Sequence, residues 1–223
     1  MLDFFEAVFF DMDGLTVDSE PQWLISEEEV VAPFGYQWTQ ADQVACLGGP
    51  LEKLGDYMSN KCNKMEPSSY FVTELIRIQA QRMRTQTAAM PGAIELVKSL
   101  KSNGVKTALV SASPRVIVEA VLDNIGHDLF PISISGDDVA KTKPDPEGYL
   151  KAANICVSEI KNCLVFEDSL PGMKAAIDSG AWLIAVPHMV EIEESARVRS
   201  IKSLAQLDFE KLRLLSRDFS LTI

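Results

Sequence analysis

A four-residue apolar run, Ala7-Val8-Phe9-Phe10, stops abruptly at Asp11-Met12-Asp13-Gly14. So short an unbroken run, met at once by charge, reads as a strand buried on both faces. Runs of the same kind recur at Lys106 to Val110, Ile132 to Ser135, Leu164 to Phe166 and Trp182 to Val186. Segments of helical periodicity separate them. Ala93 to Ser102 sets Ile94, Val97 and Leu100 at helical spacing, and Gly104 follows as a stop. Ser113-Pro114 reads as a cap and first-turn proline, opening a helix toward Gly126. Asp145-Pro146 and Ser169-Leu170-Pro171 open two more, the last closed by Gly180. Strand alternating with helix from Met90 to Pro187 implies an α/β fold. Its doubly wound parallel sheet carries a ligand crevice at the carboxyl ends of the strands.

One segment breaks the alternation. From about Val17 to Thr87 there is no β-rich run, only helical patterns around Trp23 to Val31, Gln40 to Cys46, Leu51 to Met58 and Tyr70 to Met83. The expected organisation is a core domain of residues 1–16 and 88–223 with a small all-helical cap, residues 17–87, inserted after the first strand and hinged at two connections. Ile201 to Leu215 reads as a final surface helix. At 223 residues and 47% apolar composition, the chain is large enough to bury a sizeable core.

Charge removes several classes of function. Lys and Arg number 21 against 32 Asp and Glu, a net charge of −11, which argues against a nucleic-acid partner held through its phosphates. No stretch approaches the roughly 18 consecutive apolar residues of a membrane span, and no secretory leader is read at the N-terminus. Cys46, Cys62, Cys156 and Cys163 form no closely spaced pair and read as reduced thiols of a cytoplasmic protein. With only His127 and His188 in the chain, neither beside a nucleophile, histidine-based triads and zinc hydrolases are disfavoured.

What remains is acid at strand ends. Asp11 and Asp13, two apart beyond a buried strand, share a face in extended backbone, and Gly14 lets the chain turn away. Carboxylates held so close repel unless a cation binds or one takes a proton, which points to Mg²⁺ or to paired acid and nucleophile roles. A calcium loop of the EF-hand type would place its glycine sixth, whereas Gly14 is fourth. Ser111 follows the second strand, where its hydroxyl and the neighbouring N–H groups, including that of Ala112, face the mouth of the next helix. Ser113 is assigned as the helix cap, which leaves Ser111 without a structural task. Lys143 lies between restraining residues in Lys141-Thr142-Lys143-Pro144-Asp145-Pro146, and Glu167 and Asp168 end another apolar run.

Phe9-Phe10-Asp11-Met12-Asp13-Gly14, Val110-Ser111, Lys143-Pro144 and Phe166-Glu167-Asp168-Ser169 resemble, in order, the four motifs of the haloacid-dehalogenase-like hydrolase superfamily. The insert resembles its C1 cap. Asp11-Met12-Asp13-Gly14-Leu15 through Asp18-Ser19-Glu20-Pro21 resembles the sugar-phosphatase and β-phosphoglucomutase-like branch. The resemblance implies a Rossmann-like core and two-step phosphoryl transfer from a small phosphorylated metabolite. Asp11 is then the nucleophile, and Asp13 the acid and later the base. Asp11, the Asp13 carbonyl and Asp168 hold Mg²⁺, with Glu167 in support directly or through water. Lys143 and Ser111 hold the phosphoryl oxygens. Glu20, Trp23 and Lys53 are candidate cap contacts to substrate, and a monomer meets every requirement.

Competing readings are expected to fail at particular residues. A dehalogenase needs neither Asp13 nor Mg²⁺, and no cap lysine among Lys53, Lys61 and Lys64 sits in a recognisable phosphonatase pattern. A sugar phosphomutase of this branch usually carries histidine where Trp23 stands and an arginine in the loop corresponding to Gly48-Gly49-Pro50-Leu51-Glu52-Lys53. Both departures favour hydrolysis. A non-catalytic binding protein is disfavoured because every acid of the first motif is present.

Overall fold

The computed structural model describes residues 4–46, 50–186 and 192–220. In chain order, β1 (Ala7–Phe10) and a two-residue β2 (Val17–Asp18) lead into α1 (Glu20–Val31), α2 (Gln40–Cys46), α3 (Leu51–Lys61) and α4 (Ser68–Gln86). A two-residue β3 (Ala88–Ala89) returns the chain to α5 (Ala93–Ser102), β4 (Lys106–Val110), α6 (Arg115–Ile125) and β5 (Ile132–Ile134). The remainder is α7 (Glu147–Ile155), β6 (Cys163–Glu167), α8 (Leu170–Ser179), β7 (Trp182–Ala185), β8 (Val198–Ser200) and α9 (Phe209–Ser220).

Six strands form one sheet in the order β5-β4-β1-β6-β7-β8, all parallel, as the alternating pattern implies. In central β1 the side chains alternate between two cores. Val8 and Phe10 join Leu109, Leu164 and Phe166 on the face covered by α5 and α6; Ala7 and Phe9 join Val110, Val165 and Leu183 on the face covered by α7 and α8. Phe10 stacks on Phe166 with ring centroids 5.0 Å apart. The second face is lined by small residues of the helices, Ala152, Ala153, Ala175 and Ala176, so those helices lie close to the sheet.

Helix signals hold at α8, where Ser169 Oγ accepts from the Gly172 N–H at 3.1 Å and Gly180 ends the helix at φ 85°. They do not hold at α6. Ser113 is not its cap: Pro114 precedes the helix, and the first N–H, from Arg115, is taken by Asp137 Oδ2 at 2.8 Å. Three further differences concern short elements. β2, within the segment read as free of strand, pairs with β3 just beyond it as an antiparallel ribbon joining the two ends of the helical insert. β8 extends the sheet beside β7 without any apolar run to announce it. The final helix begins only at Phe209, after a 3-10 turn at Leu204–Gln206.

Helices α1 to α4 surround a third cluster that includes Val30, Trp38, Leu54, Met58, Phe71 and Leu75. The long α4 belongs to two clusters. Phe71, Leu75 and Ile78 pack in the insert, whereas Ala80 and Met83 belong to the main core, where α4 runs against α6. Arg84 pairs with Asp123 at 2.9 Å, and Asn124 Nδ2 donates to the Thr87 carbonyl at 2.7 Å, fastening that end. All four cysteines are free. Among the described residues no helix is long and apolar enough to cross a membrane.

Candidate active site

The strand order β4-β1-β6 brings three carboxyl ends side by side, at the point where connections diverge to either side of β1. Asp11 continues β1, its N–H bonding the Phe166 carbonyl at 3.0 Å; Ser111 continues β4, its N–H bonding the Ile134 carbonyl at 2.9 Å. Lys143 reaches in from the loop before α7. Its Nζ donates to Val110 O at 2.8 Å, to Glu167 Oε1 at 2.6 Å, and to Asp11 Oδ1. The side chains of Lys143, Asp11 and Glu167 are 8%, 9% and 0% exposed, so these charges interact with little screening.

Glu167 accepts five hydrogen bonds. Lys143 Nζ and the Tyr149 hydroxyl, at 2.7 Å, meet Oε1; the Asp168 N–H, Ser169 N–H and Ser169 Oγ meet Oε2. Burial, reinforced by the Glu167 charge, holds the Asp11 carboxyl well above the usual carboxylate range, against the pull of Lys143. Burial alone would lower Lys143, but Asp11 and Glu167 outweigh it and raise the ammonium above its ordinary value. Tyr149, fully buried and beside Glu167, is raised as well, chiefly by burial. Carboxylate oxygens of Asp11, Glu167 and Asp168 lie within 4.8 Å of one another. This all-oxygen, anionic set, balanced by one ammonium, fits a hard divalent cation such as Mg²⁺.

Asp13 is presented by a tight loop. Gly14 adopts φ 78°, Thr16 N–H returns to the Met12 carbonyl at 3.0 Å, and Thr16 Oγ1 donates to the Asp11 carbonyl at 2.5 Å. Asp13 Oδ2 accepts from Ser113 Oγ at 2.9 Å and Ser111 Oγ at 3.3 Å; Oδ1 accepts from the Trp23 indole N–H at 3.4 Å. Ser113, assigned from sequence as a cap, therefore faces the acids, while Ser111 Oγ also closes the turn by accepting the Ser113 N–H at 3.0 Å. Ala112 is exposed between them, and its carbonyl abuts Gly136, where a Cβ would lie 2.5 Å away.

The structure thus brings together Asp11, Asp13, Ser111, Lys143, Glu167, Asp168 and Trp23. Glu20, at the start of α1, and Lys53, on α3, are exposed. Gly48, Gly49 and His188 lie outside the described residues. Sequence reasoning missed Tyr149, Ser113 and Thr16 as neighbours of the acids. Tyr149 gave one signal, a hydroxyl on a buried helix face whose other members are Ala152 and Ala153.

Residues 8–186 match the family model described as haloacid dehalogenase-like hydrolase, and the chain belongs to that family. Among its relatives, Hexitol phosphatase B of Escherichia coli K12 is 32% identical over 184 residues, spanning 81% of this chain and 83% of that protein. Phosphorylated carbohydrates phosphatase of Thermotoga maritima is 29% identical over 177 residues, spanning 78% and 82%. The fold matches the crystal structure of CbbY from Rhodobacter sphaeroides in complex with phosphate, with TM-score 0.77 and 24% identity over 91% of this chain and 96% of that one. It also matches β-phosphoglucomutase from Clostridium difficile, with TM-score 0.79 and 22% identity over 98% and 100%.

Proposed function

We propose that this phosphatase is a Mg²⁺-dependent phosphomonoester hydrolase that works through an aspartyl-phosphate on Asp11. Its substrate is a small phosphorylated metabolite of the sugar or polyol phosphate class. The observation that carries the reading is the convergence of Asp11, Glu167 and Asp168 within 4.8 Å, with Lys143 bonded to the first two and Asp13 alongside. The names of the two relatives that act on hexitol and carbohydrate phosphates support the substrate class.

Asp11 and Asp168, with the Asp13 carbonyl, would hold the metal. Glu167, whose oxygens already accept five hydrogen bonds, orients Lys143 and the start of the Asp168 segment. When bound, Mg²⁺ supplies positive charge that lets a carboxylate approach a phosphate dianion. Asp11 attacks phosphorus in line, forming an O–P bond as the bond to the substrate oxygen breaks, and Asp13 passes its proton to that oxygen. Asp13 then takes a proton from the water that attacks the aspartyl-phosphate, and inorganic phosphate departs. Lys143, Ser111 and the Ala112 N–H balance the equatorial oxygens. The helical insert, residues 17–87, covers the strand ends as a cap over the core of residues 1–16 and 88–223.

The test is phosphate release from a panel of phosphorylated hexoses, hexitols and small polyols, with and without Mg²⁺. Release that requires the metal, and that Asp11→Asn abolishes without unfolding the protein, is expected. Equal release by the variant removes the nucleophile from the scheme, and isomerised product without release would identify a mutase.

A further inference from the structure

Trp23 stands in the first turns of α1, half-buried, and packs against both the main core and the cap cluster. Its indole N–H points at the core: it donates to Asp13 Oδ1 at 3.4 Å, while the other carboxyl oxygen is held at 2.9 Å by Ser113 and at 3.3 Å by Ser111. One oxygen is therefore held from the core and the other from the cap. The torsion that sets a carboxyl plane is broad and has no steep intrinsic minimum, so the plane is set by what each oxygen bonds. Serine hydroxyls both donate and accept, and they tolerate either form of the oxygen they touch. An indole N–H only donates, which keeps Oδ1 an acceptor and leaves Oδ2 as the oxygen that passes a proton.

We propose that Trp23 is a positioning residue that sets the plane of the Asp13 carboxyl group from the cap, so that proton delivery to the leaving oxygen depends on where the cap sits. The inference rests on the phosphatase reading above. In the step concerned, the Asp11–phosphorus bond forms, the phosphorus–leaving-group bond breaks, and the Asp13 proton moves to the departing oxygen. Trp23 touches none of the reacting atoms.

Substituted phenyl phosphates separate this role from a packing role, because they are alike in shape and differ in how much protonation the departing phenoxide needs. For Trp23→Phe, kcat/KM is expected to fall about tenfold with phenyl phosphate and less than about twofold with p-nitrophenyl phosphate, steepening the dependence on leaving-group basicity. Trp23→His, whose Nε2–H extends about as far from Cβ as the indole N–H, is expected to restore much of the wild-type slope. A thermal melt accompanies each variant. Where Trp23→Phe does not fold, the benzothiophene isostere of tryptophan at position 23 preserves shape, lacks the N–H, and is expected to give the same steepened slope. Parallel lines for wild type and variant, with every substrate lowered alike, overturn the proposal and leave the phosphatase reading standing. No phosphate release by the wild-type enzyme, from any aryl phosphate or from the hexose, hexitol and polyol phosphates, overturns both.

Discussion

Gly172 lies directly against the Glu167 carboxyl group: a Cβ at position 172 would sit 1.8 Å from Oε1 and 2.0 Å from Cδ. The buried acid fills the space a side chain would take. Gly172→Ala is expected to push Glu167 away from Lys143 and Tyr149, with an overpacking cost of about 1–3 kcal/mol. Urea denaturation reads the cost, and the Mg²⁺ concentration giving half-maximal phosphate release is expected to rise.

Lys143 is the cation bonded to both Asp11 and Glu167. Lys143→Met keeps the length of the stem and leaves two buried carboxyls without it, a loss of about 3–5 kcal/mol. Without the ammonium, the pull of Lys143 no longer opposes the burial that raises the Asp11 carboxyl. The deficit is expected to shrink as pH falls and Asp11 takes its proton, so denaturant midpoints at about pH 5 and about pH 8 provide the check.

Glu27 is buried in the cap, where Oε2 accepts from the Trp38 indole N–H at 2.8 Å. Burial outweighs that bond and, with the Glu20 and Glu28 charges, raises its carboxyl from 4.5 to about 7. Below 4.5 both folded and unfolded states keep the proton; between 4.5 and about 7 the unfolded chain releases it first, so stability falls as pH rises. Above that range the full penalty stands, about 3 kcal/mol. Glu27→Gln keeps an acceptor for Trp38 and cannot ionise. Its melting temperature is expected to match wild type in acid and to exceed it increasingly through that interval.

The Tyr149 hydroxyl, on a fully buried side chain, is one of the donors that hold Glu167 Oε1. Tyr149→Phe removes one donor with little change in shape, an expected loss of about 1 kcal/mol. Glu167 keeps Lys143 and the Ser169 segment, so phosphate release is expected to persist with a weaker response to Mg²⁺. Calorimetric titration of Mg²⁺ into both proteins measures the difference directly.

Two strand ends were legible because a buried run is cut off by acid, at Asp11 and at Glu167, and parallel pairing brings such ends together. Ser113 was misread because Ser-Pro satisfies a local cap rule, whereas the group that takes the first α6 N–H is Asp137, 22 residues away. β8 is three residues long at a sheet edge, with one buried apolar side chain, Val198, so it lacks the pattern of an interior strand. Two-residue β2 and β3 are too short for any period to register. Trp23 was legible as an amphipathic aromatic of the cap and a candidate substrate contact, but its bond to Asp13 depends on how the cap rests on the core. That placement is tertiary.

Because α4 contributes Phe71 and Leu75 to one cluster and Ala80 and Met83 to the other, melting either cluster withdraws packing from the same continuous helix. Heating is therefore expected to produce one cooperative transition, with calorimetric and van't Hoff enthalpies in agreement, instead of a cap that denatures ahead of its platform.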